Sequence, residues 1–178
     1  MDTVPVVLNF AYGSNMLLAR LRERVPSARM LTVATLPGHE LRWHKLGQDG
    51  SGKCDVLPSG DPQAAVIGVV FELALSDKPR LDAAEDLGVS YSEKEVEVQT
   101  AAGPLRAWVY HAIRIDPAAV PFDWYKALVL AGAREHGLPR PYIDRLDATP
   151  WRPDPDAARA ARNFALVGAS PGDAVPTA

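Results

Sequence analysis

Two groups of residues in this chain have types and spacing that can do chemistry. The first is the carboxylate pair in Leu81-Asp82-Ala83-Ala84-Glu85-Asp86-Leu87. On a helix, Asp82 and Glu85 lie three apart and share a side, while Leu81, Ala84 and Leu87 can face inward. A carboxylate at the edge of an apolar face, beside a second one, can take up and return protons. A solvated helix face carries the same pattern and is the commoner arrangement. The second group is the turn Tyr12-Gly13-Ser14-Asn15. Gly13 has access to backbone angles closed to other residues, and Ser14 and Asn15 are both good helix N-caps. Such a turn directs several backbone N–H groups at one point, a seat for a carboxylate or phosphate. An ordinary strand-to-helix connection would use the same residues. One glycine is too few for a dinucleotide fingerprint, and no Gly-Lys-Ser/Thr follows to make a Walker loop.

The elements that must position these groups follow from local pattern. Val6, Val7, Leu8, Phe10 and Tyr12 are β-branched, aliphatic or aromatic, as in a buried strand. In the helix that follows, Leu17, Leu18 and Leu21 recur at helical spacing and Arg20, Arg22 and Arg24 can face water. Residues 30–36 and 40–46 read as strands split by Pro37-Gly38, residues 47–53 as a flexible loop, and 55–57 as a short strand. Residues 64–73 form a stronger strand, in which Gly68 marks a bulge or a close backbone approach. Ser76 is placed to cap a helix running to Leu87, with Pro79 in its first turn. Residues 93–100 alternate charged and apolar, so Glu93, Glu95 and Glu97 make the wet face of a half-buried strand. Residues 105–113 pair with it as an antiparallel hairpin. A helix is expected at 122–139, with Asp123 near its start and Arg134, His136, Gly137 and Pro139 at its end. Shorter helices are expected at 141–146 and 156–166, followed by a frayed tail. Tyr110, on a strand, and Tyr125, in a helix's first turn, are of a kind most often found in cores. Six or so strands with few strand–helix–strand alternations predict an α+β domain, an antiparallel sheet or barrel decorated with helices.

Composition narrows the function. With 178 residues, 47% apolar and 23% charged, the chain can bury one sizeable core. A net charge of −3 offers no bulk attraction to nucleic acid or to an anionic membrane. Cys54 is the only cysteine, so no intramolecular disulfide forms, and His39, His44, His111 and His136 lack metal-ligand spacing. No signal peptide or membrane span is visible, which makes the cytoplasm the default compartment.

The segment "NFAYGSNM", residues 9–16, resembles the opening signature of the γ-glutamylcyclotransferases. Further similar segments come in the family's order: "RVPSA" at 24–28, "GVVFEL" at 68–73, "LDAAE" at 81–85 and "YKALVLAGAREHGLP" at 125–139. The resemblance covers about residues 6–150 and is to the γ-glutamylcyclotransferase branch rather than to the glutathione-specific relatives. It implies a small mixed β-barrel flanked by helices over residues 1–150; the shift in composition after Pro150 makes 151–178 a peripheral helix and tail. It implies the cyclisation of a γ-glutamyl amide, whose own α-amine attacks the γ-carbonyl to give 5-oxoproline and a released amine. Neither cofactor nor metal is expected. Glu85 matches the family's catalytic position as general acid and base. Asn9, Phe10, Ala11, Tyr12, Gly13, Ser14 and Asn15 match the cradle of the glutamyl group, and Tyr125 and Tyr110 match tyrosines of the pocket. Two departures bear on efficiency and substrate choice: Asp86 stands where the family usually has Gly, and the spacing from Glu85 to Tyr91 is altered. The partner implied is a small γ-glutamyl compound. Its leaving group stays open between an amino acid, an amine and a γ-glutamyl-protected natural product. A binding module without turnover, and monomer against homodimer, stay open too.

Overall fold

The computed structural model describes residues 4–168. Seven strands form: β1 (Val6–Ala11), β2 (Arg29–Pro37), β3 (His39–Leu46), β4 (Gly52–Pro58), β5 (Ala65–Ala74), β6 (Tyr91–Thr100) and β7 (Gly103–Ala112). Five helices accompany them: α1 (Leu18–Arg24), α2 (Lys78–Ala84), α3 (Asp123–Glu135), α4 (Arg140–Asp147) and α5 (Ala157–Val167). The expected tail at 169–178 lies outside the described residues.

Five strands close into a barrel in the order β1-β5-β2-β6-β7. Four of its five pairings are antiparallel, and the closing pair, β1 with β7, is parallel. The barrel is therefore mixed, and the class is α+β as expected. Closure suits the sequence of β5: its Val66, Val69, Val70, Phe71 and Leu73 are all fully buried, which a strand with a wet face would not need. At Gly68 the reason for glycine is close approach and not a bulge. A Cβ there would lie 2.3 Å from the Ala11 carbonyl oxygen, while the β2–β5 register runs unbroken through Ala34↔Gly68, from Thr32↔Val70 to Pro37↔Ala65. The β6–β7 hairpin is antiparallel from Tyr91↔Ala112 to Thr100↔Gly103. Outside it, α3 lays Leu128, Val129 and Ala133 into the core, and α5 packs Ala160 and Phe164 inward.

Several expectations change. The strand placed at 55–57 extends over Gly52–Pro58 and pairs with β3 in a two-stranded ribbon apart from the barrel. The loop placed at 47–53 shrinks to a turn, because the Asp49 carboxylate accepts from the Ser51 N–H at 3.0 Å and its hydroxyl at 2.8 Å. Ser14 and Asn15 do not cap α1. They belong to a 3-10 turn, Ser14–Met16, and α1 starts from Leu17 without a side-chain cap. Ser76 likewise lies in a 3-10 turn, Leu75–Asp77, ahead of α2, with Pro79 in the first turn as expected.

Helix α2 ends at Ala84 and not at Leu87. The Asp86 N–H bonds the Ala83 carbonyl at 3.2 Å and the Leu87 N–H bonds the Asp82 carbonyl at 3.0 Å. That pair of bonds is a Schellman stop with Asp86 at the left-handed position, φ 53°. Glycine is the usual residue there, so Asp86 occupies a glycine's place. As a result Leu81 is buried, Leu87 is half-buried and Ala84 is exposed.

Candidate active site

The turn after β1 and the end of α2 meet at one cleft of about 610 Å³. Glu85, the last residue of α2's stop, turns its carboxylate toward the 3-10 turn. Its Oε1 accepts from the Asn15 side-chain amide at 2.8 Å and from Arg24 Nη1 at 2.6 Å. Arg24 Nη1 also reaches Asn15 Oδ1 at 3.1 Å, so the three side chains lock one another. Only 11% of the Glu85 side chain is exposed. Both recorded donors take the same oxygen, and among the described residues none reaches Oε2. One carboxylate oxygen is held and the other is free to meet a ligand.

The turn itself offers donors. Its own bonds are made by the N–H groups of Met16 and Leu17, to Gly13 and Ser14 carbonyls at 3.0 and 3.2 Å. No acceptor among the described residues takes the N–H groups of Gly13, Ser14 or Asn15. Gly13 has φ −115°, so it does not use a left-handed conformation. What requires glycine is space: a Cβ would lie 3.0 Å from Cys54 Cβ and 3.2 Å from the Tyr125 hydroxyl.

Tyrosines wall the cleft, each fixed by a hydrogen bond. Tyr12 donates to the Tyr110 carbonyl at 2.5 Å, and Tyr110 donates to Asp82 Oδ1 at 2.5 Å. Tyr91 donates to the Cys54 carbonyl at 2.8 Å, and the Tyr125 hydroxyl accepts from the Cys54 N–H at 3.0 Å. Burial pushes all four phenols above the ordinary range, and the Asp82 carboxylate raises Tyr110 further. All four stay neutral, and Tyr12, Tyr91 and Tyr110 act as donors. Burial also pushes the Cys54 thiol up to about 12. Four cations reach the cleft besides Arg24: Arg20, Lys45, Lys53 and Arg159. Burial, then the neighbouring Arg24, pulls Arg20 down to about 10, and burial lowers both lysines.

The residues matched to the family's site all line this cleft: Asn9, Phe10, Ala11, Tyr12, Gly13, Ser14, Asn15, Glu85, Tyr110 and Tyr125; Asp82, the other carboxylate of the sequence pair, does not. Their uses differ. The Asn9 side chain crosses the barrel seam to the Trp108 carbonyl at 3.3 Å. Asp82, partner of Glu85 in the sequence pattern, is held by Tyr110 and by Lys78 Nζ. Asp86 is turned to the Ser90 hydroxyl at 2.9 Å. Glu93 is no solvated residue: it pairs with the buried Lys78 at 2.6 Å. Arg24 and Arg20 do not face water, since Arg24 binds Glu85 and Arg20 reaches Asn163 on α5 at 3.3 Å. Arg24, Lys45, Lys53 and Tyr91 carry no sequence signal of a site, because the cleft groups they meet (Glu85 for Arg24, the Tyr91 ring for Lys45, the Tyr125 ring for Lys53, Cys54 for Tyr91) are remote along the chain. Among the described residues no group of three or more His, Cys, Asp or Glu is placed to hold a metal ion.

Comparison with known proteins bears on the family and the fold. The AIG2-like family matches residues 65–146. The mouse protein named γ-glutamylcyclotransferase is 33% identical over 154 residues, covering 79% of this chain and 77% of its own length. The human protein of that name is 33% identical over 146 residues with the same coverage. The chain belongs to the γ-glutamylcyclotransferase family. A solved γ-glutamyl cyclotransferase superposes with a TM-score of 0.82 at 28% identity, over 92% of this chain and 99% of that one. The barrel with its flanking helices is thus the family fold. A yeast γ-glutamyl cyclotransferase specific to glutathione, 14% identical with a TM-score of 0.59 over 79% of this chain and 93% of that one, shares the fold alone. No helix among the described residues is long and apolar enough to cross a membrane.

Proposed function

We propose that this member of the family is itself a γ-glutamylcyclotransferase, converting γ-glutamyl amino acids to 5-oxoproline with release of the amino acid. The observation that carries it is the 2.8 Å bond between Asn15 in the turn and Glu85 at the end of α2. It puts a cluster of unused N–H donors and a carboxylate with one free oxygen within reach of one small substrate. The N–H groups of Gly13–Asn15 receive the α-carboxylate of the glutamyl group. Glu85 Oε2 then takes a proton from the α-ammonium. The freed amine attacks the γ-carbonyl carbon and the ring closes; Glu85 returns that proton to the departing nitrogen as the C–N bond breaks, then takes the surplus proton from the ring nitrogen and hands it to the released amine, which leaves as an ammonium. Both reactants sit in one molecule, so the enzyme's main task is to hold the chain folded, which supplies several kcal/mol on the order of known intramolecular reactions. Tyr12, Tyr110 and Tyr125 shape the wall around it. A net charge of −3 fits a small-molecule substrate better than nucleic acid. We place the activity in the cytoplasm, in keeping with a single free cysteine.

The test is a panel of γ-glutamyl compounds assayed for 5-oxoproline. Release from γ-glutamyl amino acids supports the reading. Binding without release from any member would make the protein a binding module.

A further inference from the structure

The cleft contains a pair of lysines for which the cyclisation step has no use. Lys45 on β3 and Lys53 on β4 are direct cross-strand partners. Residues opposite each other in an antiparallel pair project from the same face, with Cβ atoms about 5 Å apart, and like charges so placed repel. A register shift between Arg42 and Lys45 sets this phase, and both lysines line the cleft that holds Glu85. Lys45 is 6% exposed, and its ammonium stands 4.8 Å from the centre of the Tyr91 ring. Among the described residues no carboxylate or other acceptor partners it: Glu85 is engaged by Arg24 and Asn15, and Asp86 by Ser90. Lys53 is flanked by the rings of Trp124 and Tyr125, each at 4.9 Å, and is paired with Asp49 at 2.9 Å. One anion thus serves two facing, nearly dry cations. Burial lowers both lysines; the charge of Glu85 opposes this at Lys45 and Asp49 opposes it at Lys53, while Arg114 adds to it at Lys45 and Lys45 adds to it at Lys53. Such a pair is short of one negative charge on the cleft side.

We propose that Lys45 and Lys53 form the seat for the carboxylate of the leaving amino acid. This rests on the cyclisation described above. A γ-glutamyl amino acid brings two carboxylates: the turn donors at Gly13–Asn15 take that of the glutamyl head, and the lysines take the other. A plain amine would leave Lys45 dry and unneutralised, and sites built for a charge discriminate strongly against analogues that lack it.

The experiment compares γ-glutamyl-alanine with γ-glutamyl-alanine amide, which differ only in that carboxylate. Rates of 5-oxoproline release are measured for the full chain and for Lys45→Met, Lys45→Arg and Lys53→Met, each checked for folding by circular dichroism. The wild type should prefer the free carboxylate in kcat/KM by at least about tenfold. Lys45→Met should cut that preference by about tenfold or more, chiefly through KM for γ-glutamyl-alanine, and Lys45→Arg should keep most of it. Lys53→Met carries the same expectation and the test stands on it if Lys45→Met does not fold. A preference unchanged in either folded Met variant overturns the seat. Equal slowing of both substrates also overturns it, since the lysines would then serve the glutamyl head. A wild type that releases 5-oxoproline equally from both substrates overturns the seat and leaves the cyclisation standing. Release from neither overturns the cyclisation and the seat with it.

Discussion

At Gly13 the decisive quantity is a few tenths of an ångström. Its φ of −115° lies outside the left-handed region, but a Cβ meets Cys54 Cβ at 3.0 Å and the Tyr125 hydroxyl at 3.2 Å. Gly13→Ala should therefore push the turn off Tyr125, costing about 1–2 kcal/mol of stability in urea unfolding. It should also lower kcat/KM for a γ-glutamyl amino acid more than tenfold, because about 1 Å of misplacement is enough for such a loss. Cys54, beneath that turn, is buried with its thiol pushed up to about 12. The thiolate is the reactive form, so iodoacetamide at pH 8 should alkylate the folded protein at least about a hundred times more slowly than the protein in guanidinium. Equal rates would show the turn to be open. At this scale the sequence shows residue types but not partners. Glu85 and the turn residues are visible from their neighbours, whereas Arg24 meets Glu85 across 61 residues of chain and looks like any surface arginine of a helix.

Elements are legible where hydrophobic period is strong, as in β5, β7 and α3, and less so where termini are set by tertiary contacts. Helix α2 is an example: its sequence reads as helical to Leu87, yet the Schellman stop at Asp86 ends it early and thereby aims Glu85 into the cleft. Helix α3 gives a case in which propensity and packing oppose each other. Replacing a helical glycine by alanine normally gains about 1 kcal/mol. At Gly132, however, a Cβ would lie 2.5 Å from the Leu17 nitrogen and 2.7 Å from Met16 atoms. Backbone cannot yield as a flexible side chain does, so Gly132→Ala should destabilise by about 2–3 kcal/mol in chemical denaturation. The segment before α5 hangs on Asp154, which accepts from Trp124 Nε1 at 2.7 Å and from Arg159 at 2.6 Å through both oxygens. Arg159 holds this carboxyl below the usual range. A group depressed in the folded state stabilises above its unfolded value, about 4, and that stabilisation is lost as pH falls below it. Asp154→Asn should cost about 2 kcal/mol at pH 7, and the gap from wild type should narrow as the solution is taken from pH 5 toward pH 2. A gap independent of pH would contradict the charge's role.

The whole molecule is where the sequence says least from its own pattern. Each strand announces a buried face, but the order β1-β5-β2-β6-β7 depends on which faces meet, and the parallel β1–β7 seam joins the first strand to the last among the described residues. Ribbon β3–β4 looks like two more barrel strands until its register is known, which is why Lys45 and Lys53 were not legible as a facing pair. The central claim is that closure of this barrel brings the turn and Glu85 together as one machine for making 5-oxoproline. Glu85→Gln tests it most directly, since the amide can still accept from Asn15 and Arg24 but cannot exchange a proton with the substrate. Asp86→Asn is its control, because asparagine tolerates the left-handed backbone at φ 53°. The measurement is 5-oxoproline release from a γ-glutamyl amino acid by the folded proteins. The wild type should turn over, Glu85→Gln should fall by roughly two to four orders of magnitude with little change in binding, and Asp86→Asn should stay within about tenfold of wild type, a far smaller loss than that of a proton-transfer group. A folded Glu85→Gln protein working near the wild-type rate, or an Asp86→Asn protein that alone is dead, would contradict the account.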